Sequence, residues 1–329
     1  ATQYGDYQYT DSQGTWYFDL IDENGDRVKP TTTSSLSASS LASTYATSNL
    51  TAKIKYVDNN SSLTTLTIPS RVGSNAGSEM YDVTVLYSSL GFASQRSMIK
   101  NKTNVQTVVI PDSATSIDYY AFYMCSALRS ITIPDSVTSI GSNAFNYCTS
   151  LTSVTFGNGV TNIGGLAFSD CTGLTSITIP DSVRMIQASA FKGCGLTSIT
   201  IPDSVTFISN EAFSFCSNLT SIIVSSGNAT YHSEGNCLIK TESKELIAGC
   251  KTSIIPTDGS VTSIGWRAFS GCNSLTSITI PNGVTNINEP FYNCNNLTTI
   301  NIGAGVTEIS WLPSSVINVT ISENNENLA

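Results

Sequence analysis

Residues 128–148 read LRSITIPDSVTSIGSNAFNYC, and residues 151–171 repeat the pattern as LTSVTFGNGVTNIGGLAFSDC. Further units close at Cys194 and Cys216, and Cys125 lies one unit upstream, so the successive cysteines are 23, 23, 23 and 22 residues apart. A fixed period of this length marks a stacked array of equivalent coils. After an interruption the unit returns with Phe269 and Cys272, and again with Phe291 and Cys294.

Each unit has the physical grammar of one coil. Leu151, Val154 and Phe156 are spaced as a strand with one face inward, and Thr155 between the last two points the other way. Proline at 111, 134, 180, 202, 256 and 281 ends the strand by fixing φ and removing a ladder donor. Asp-Ser or Asn-Gly then makes the turn. A second short alternation follows, Val137 and Ile140, and a brief helical turn is predicted to drop Ala144, Phe145 and Cys148 inward. One coil buries too little apolar surface to offset the entropy of ordering it, so neighbours must supply backbone ladders and columns of like side chains.

Composition agrees with an array. Of 329 residues only 12% are charged, while Ser, Thr, Asn and Gly abound. A net charge of −9 without a Lys/Arg stripe argues against nucleic acid, leaving basic partners open. No apolar run is long enough to span a bilayer. Beginning at Ala1, the chain suits a mature secreted protein with its export signal removed, or a trimmed chain.

The stretch SITIPDSVTSIGSNAF (130–145) with the following Cys148 resembles the BspA-type leucine-rich repeats, found in surface proteins of host-associated bacteria and of trichomonad parasites. The resemblance runs over about residues 54–322. The fold class expected is an α/β solenoid, a leucine-rich-repeat-like right-handed superhelix of ~23-residue coils, strand-rich with short helical turns. The asparagine position of ordinary leucine-rich repeats gives way here to the Pro-Asp-Ser turn, so their horseshoe curvature is not carried over.

Departures from the period define the expected organisation. Residues 1–50 form an N-terminal β-hairpin cap segment: Tyr4–Thr10 and Thr15–Ile21 alternate like strands, and Asn24-Gly25 suits a hairpin turn. A Ser/Thr-rich connection, linker or loose helix, occupies 31–49. Residues 51–329 form the array, with irregular first coils, a hairpin insertion near 225–255 projecting from one coil, and a C-terminal cap where Trp311 and Leu312 replace the Ala-Phe-x-x-Cys turn. The tail from Glu323 is expected to fray.

Chemistry is sparse. Seven of the nine cysteines share one slot, three residues after the phenylalanine, where a column of buried free thiols is expected over disulfides because stacked side chains lie parallel. Cys237 and Cys250 lie off that register, and a hairpin disulfide between them is the alternative to free thiols. His232, the sole histidine, sits in a polar turn and is not placed as a base. Asp112, Asp135, Asp181 and Asp203 recur at the turn slot as backbone caps, not as a carboxylate pair. Asp22-x-Asn24-x-Asp26 opens like a calcium loop, but Arg27 replaces the needed glycine and Thr33 the closing glutamate. Asn-x-Ser/Thr sequons, as at Asn218, Asn228 and Asn296, are expected by chance.

No enzyme, metal or cofactor is therefore expected. The strand face carries hydroxyl columns, Thr132, Thr155, Thr178, Thr200 and Thr279 beside Ser130 and its equivalents. Variation concentrates near the helical turn, where Tyr119, Tyr120, Tyr123, Tyr147, Phe215, Trp266 and Tyr292 are the candidate binding residues, with Lys192 among them. Packing over neighbouring coils is the competing reading for each. The resemblance implies a secreted or cell-surface interaction and adhesion module for host or neighbouring-cell macromolecules, with extracellular or surface proteins, then glycans, as partners. A structural spacer presenting another domain is the alternative, and a carbohydrate-active N-terminal segment the weakest.

Overall fold

A computed structural model of the chain describes residues 7–24, 26–28, 50–73, 80–87, 97–99, 102–309 and 311–328. The connection expected over 31–49, and Gly25 of the expected turn, lie outside these residues. The chain divides into two compact units, residues 1–167 and 168–329.

Both units are stacks of the same coil, which in its regular form contributes one longer and one two-residue strand to parallel ladders. In the first unit Ser130–Ile133 pairs with Thr107–Val109 and with Ser153–Phe156, and the register sets Ile131 opposite Val108 and Val154. Ser139–Ile140 likewise pairs with Ser116–Ile117 and Asn162–Ile163, so Ile117, Ile140 and Ile163 form a fully buried row. The second unit repeats this with Ser277–Ile280, Thr299–Ile302 and Asn318–Ile321 in one parallel sheet. Phenylalanines stack between coils: Phe122 on Phe145 in the first unit at 5.1 Å, and Phe168, Phe191 and Phe213 in the second at 5.6 and 5.9 Å.

The expected α/β class and helical turns require correction, because the described residues contain no helix. Around Phe145 the backbone N–H groups alternate. Ala144, Asn146 and Cys148 donate within the turn to Gly141, Asn143 and Phe145, while Asn143 and Phe145 donate to Gly165 and Ala167 of the next coil. An α-helix directs every N–H along its own axis to residue i−4; here every second one leaves for a neighbour. Two residues per turn, such as Asn143 and Tyr147, take left-handed φ values of 59° and 61° to achieve this. The repeat is a strand-rich solenoid coil with three interlocked turns in place of the helix.

Hydroxyl groups also join coils. Thr138 and Thr161 donate to the carbonyls of Thr115 and Thr138 one coil earlier, and Thr220 and Thr298 to those of Thr197 and Thr276. The turn aspartate, expected to cap its own backbone, bonds the neighbouring coil: Asp135 Oδ1 accepts the N–H of Asn158, as Asn282 Oδ1 accepts that of Ala304.

The first unit opens on an antiparallel meander, Tyr7–Thr10, Gly14–Ile21 and Arg27–Val28, with Thr51–Asn59 on the free edge of its long strand. Thr51–Asn59 then pairs in parallel with Met80–Leu86, which continues to Ser116–Ile117. Asp22 Oδ1 accepts the N–H groups of Asn24 and Asp26, the chemistry of a capped turn.

In the second unit, three antiparallel strands, Tyr231–Glu234, Cys237–Lys240 and Glu245–Ala248, replace one coil's ordinary path. The segment does not project. Glu245–Leu246 pairs in parallel with Ser263–Ile264, the place of a coil's two-residue strand, and Leu246 is fully buried. Gly249 takes the phenylalanine slot: its N–H donates to Ala268, as Phe145 N–H does to Ala167, and a Cβ on it would strike the Phe269 ring. The Phe269 ring thus lies where a side chain at 249 would start.

One asparagine device occurs twice in this unit. Asn228 Nδ2 donates to the carbonyls of Pro202 and Val205, and its Oδ1 accepts the N–H groups of Thr230 and Tyr231. Asn325 does the same with Gly303, Val306, Asn327 and Leu328, all four bonds at 2.9 to 3.1 Å. The tail is therefore tied at Asn325, which is 1% exposed, and does not fray from Glu323. Asn325→Ala leaves two buried carbonyls and two N–H groups without that partner. It should cost roughly 3 kcal/mol in urea unfolding, against under about 0.5 for Asn324→Ala at the exposed neighbour.

Candidate binding surface

The interior offers thiols but no reactive constellation. All nine cysteines are free and buried. Those of the repeat slot act as directed donors: Cys148 to the Phe122 carbonyl at 3.2 Å in the first unit, and Cys194, Cys216 and Cys294 to Phe168, Phe191 and Phe269 at 3.0 to 3.1 Å in the second. Burial pushes the Cys216, Cys237 and Cys294 thiols up to about 12, and raises Cys194 and Cys272 as well. At Cys125 burial acts in the same direction, but hydrogen bonds from Cys148 and Ser97 and the charge of Lys102 outweigh it, leaving the thiol below its ordinary value. Off the register, Cys237 faces the Gly235 and Ile254 carbonyls and Cys250 that of Asn236.

His232 is in a strand, not a turn, paired with Ile239 and half-buried with Nδ1 2.9 Å from the Thr241 hydroxyl. Among the described residues no three His, Cys, Asp or Glu side chains gather to hold a metal ion, and no helix is long and apolar enough to cross a membrane.

The candidate aromatics lie on or beside the turn row. In the first unit the structure brings three tyrosines together: Tyr120 meets Tyr123 edge-on at 5.3 Å, and Tyr123 meets Tyr147 edge-on at 6.1 Å. Lys102 Nζ lies 5.8 Å from the Tyr123 ring centre, while Tyr119 and Tyr147 are exposed. In the second unit Arg267 joins Trp266 and Tyr292, its guanidinium 4.2 and 3.9 Å from their ring centres, and Nη1 pairs with Glu211 at 3.0 Å. Trp311 extends this group to 6.3 Å from Tyr292, and Phe215 stands over Gly271 with Lys192 Nζ 5.1 Å from its ring. Sequence reading passes over Arg267 and places Trp311 only in the C-terminal cap, not among the candidate binding residues. The one departed from the aromatic pattern, and the other stands where the repeat degenerates.

Backbone conformation does not by itself set these positions apart, since left-handed φ recurs at the same two turn positions from coil to coil. Tyr120 (56°) stands where Asn143 and Arg267 have 59° and 56°, and Tyr147 and Phe215 (61° and 60°) stand where Gly193 and Gly271 adopt 68° and 70°. A side chain in this region costs roughly 1–2 kcal/mol, which glycine avoids. The strand face carries no ring or charge among its threonine positions: in the first unit Thr132 pairs with Thr155 and with the exposed Val109, and in the second Thr200 pairs with the exposed Ile223 and Thr279 with Asn301. Near the C-terminal end Thr279, Asn301, Thr320 and Ser322 help line an uncharged groove of about 400 Å³.

The coil geometry has counterparts. A model of the BspA type leucine rich repeat region matches in six copies, over residues 95–220, 138–258 and 240–327. A leucine rich cell surface protein of Faecalibacterium prausnitzii is 25% identical, with a TM-score of 0.51 over 96% of this chain and 95% of that one. A leucine-rich repeat protein of Eubacterium ventriosum, 23% identical, gives 0.53 over 69% of each chain. The pneumococcal vaccine antigen PcpA, 14% identical, gives 0.56 over 98% of this chain and 87% of that one. The last two likenesses speak to the fold alone. No curated protein matches.

The thiols make stability depend on alkaline pH. With folded values near 12 against an ordinary 9.0, Cys216, Cys237 and Cys294 keep their protons in the folded chain after the unfolded chain has lost them. Stability is therefore undiminished by them below pH 9 and falls between 9 and 12, each thiol contributing about 1.4 kcal/mol per pH unit. Urea midpoints measured from pH 8 to 11 should show this fall. A chain with all three replaced by alanine should lose stability less steeply, though it starts lower.

Proposed function

Because the chain belongs to the BspA-type leucine-rich repeat family, we propose that it is a surface-displayed module that binds extracellular or cell-surface proteins through its turn row. The observation carrying this reading is the edge-on cluster of Tyr120, Tyr123 and Tyr147 beside the exposed Tyr119. Large aromatic side chains gathered on successive turns without full burial offer contact area to a partner. Tyrosines already locked edge to edge lose little further freedom on binding.

Localisation at the cell surface is supported by the likeness to the Faecalibacterium prausnitzii cell surface protein. Adhesion to host or neighbouring-cell macromolecules is the finer form of the reading, with glycans as a second partner class. Residues 1–50 are taken as the cap segment that closes the stack, and 51–329 as the binding array. Trp266 and Tyr292 are assigned a supporting part, since their faces are already engaged by Arg267. The spacer reading draws on the plain threonine register, which has no charge or ring to single out a partner.

The test presents the intact chain to an array of extracellular matrix and cell-surface proteins. Binding to a defined subset is expected, and replacing Tyr119, Tyr123 and Tyr147 together with serine should weaken it about tenfold or more with little change in melting temperature. Equal loss on replacing Thr132 and Thr155 with alanine would move the site to the strand face. No binding by the wild-type chain would favour the spacer.

A further inference from the structure

The first unit contains a four-stranded parallel sheet of Thr65–Thr67, Thr107–Val109, Ser130–Ile133 and Ser153–Phe156. Its ladder sets Thr65, Thr107, Ser130 and Ser153 in one outward row, and Thr67, Val109, Thr132 and Thr155 in a second. Thr107 is half-buried and the others are exposed. Neighbours in a row are one strand apart, about 4.8 Å, and the rows are two residues apart along each strand, about 6.6 Å. The hydroxyls of both rows have no partner among the described residues. Elsewhere in the unit hydroxyls fasten the stack: Thr115, Thr138, Thr152 and Thr161 each donate to a carbonyl of the preceding coil. The edge strand is closed at Thr67, whose N–H and carbonyl are both bonded at 2.7 Å by the Gln13 amide. The face is what remains open.

What such a face can hold follows from its chemistry. Protein partners are anchored on aromatic, Met or Arg side chains, and serine is depleted where they dock. The two rows contain no such anchor. A charged polymer needs opposite charge, and the rows carry none, since Arg129 stands just outside them. Each hydroxyl both donates and accepts, which suits a ligand lined with hydroxyls of its own. The methyl groups of Thr67, Val109, Thr132 and Thr155 add an apolar strip for its C–H groups. Threonine and valine hold χ1 tightly, so little side-chain freedom is lost on contact. The fixed spacing selects a repeating ligand, because the strand separation of about 4.8 Å is close to the length of one sugar in an extended β-1,4-linked chain. An α-1,4-linked chain coils away from a flat face.

We propose that the paired rows led by Thr65 and Thr67 bind an uncharged, extended β-1,4-linked polysaccharide lying along the stack, one sugar to a coil. Sugar hydroxyls meet the row of Ser130, and the C–H face of the chain rests on the row of Thr132. Each contact is weak in water, and affinity comes from its repetition from coil to coil, so binding strengthens with chain length. This surface is separate from the aromatic turn row and does not depend on the function proposed for it.

The test is native electrophoresis of the intact chain through gels containing hydroxyethyl cellulose or glucomannan, with starch, dextran and the anionic carboxymethyl cellulose as comparisons. Retardation by one or both of the neutral β-1,4-linked polymers is expected, and cellohexaose should compete better than cellotriose. S130A/T132V/S153A/T155V, which removes hydroxyls the fold does not use, should weaken retention about tenfold or more. That variant should melt within a few degrees of wild type. T138V/T161V removes hydroxyls taken up between coils, and should leave retention unchanged while lowering the melting temperature. No retardation by either neutral β-1,4-linked polymer overturns the proposal. So does equal retardation by starch or dextran, retardation by carboxymethyl cellulose alone, or retention indifferent to the quadruple variant.

Discussion

Every coil depends on sending half of its turn N–H groups out of itself. A lone turn at Ala144 to Cys148 could satisfy only Ala144, Asn146 and Cys148; Asn143 and Phe145 need the carbonyls of Gly165 and Ala167. Buried backbone donors are rarely tolerated without partners, so the coil is incomplete as a matter of hydrogen bonding as well as of burial. The threonine hydroxyls, the turn aspartate and the thiols obey the same rule, each bonding a residue about one period away. What resembles decoration in a Ser/Thr-rich composition is largely the fastening between neighbours.

That rule also governs where the stack changes. Gly249 keeps the outgoing N–H of the phenylalanine slot while giving up the side chain, and the Phe269 ring stands against its Cα. Asn228 and Asn325 end the ordinary coil path by satisfying two carbonyls of the coil before and two N–H groups of the segment after. A single amide side chain does there what a whole further coil does elsewhere.

The period, the inward rows and the cysteine slot were legible because repetition averages out local ambiguity: Ile117, Ile140 and Ile163 announce one row however any one of them is read. The helix was misread for a physical reason. Ala144, Phe145 and Cys148 have the spacing of one helical face, and three successive turns give that same spacing; only the glycines at 193 and 271 hinted at left-handed backbone. Asn325 was hidden in a polar tail, although setting SSGNATY beside SENNENL would have exposed the shared Ser-x-x-Asn. Of the candidate surface, the aromatic positions could be read from variation between units, whereas the clustering of Tyr120, Tyr123 and Tyr147, and the capture of Trp266 and Tyr292 by Arg267, depend on turn geometry that no spacing encodes.

The thiol-to-carbonyl bonds have a consequence for how such a chain is made. Nothing in the described core needs an oxidant: Cys148, Cys194, Cys216 and Cys294 serve as protonated donors, and forming a disulfide would remove the S–H that each contributes. The array can therefore mature on either side of a redox boundary, without an isomerase to sort pairings.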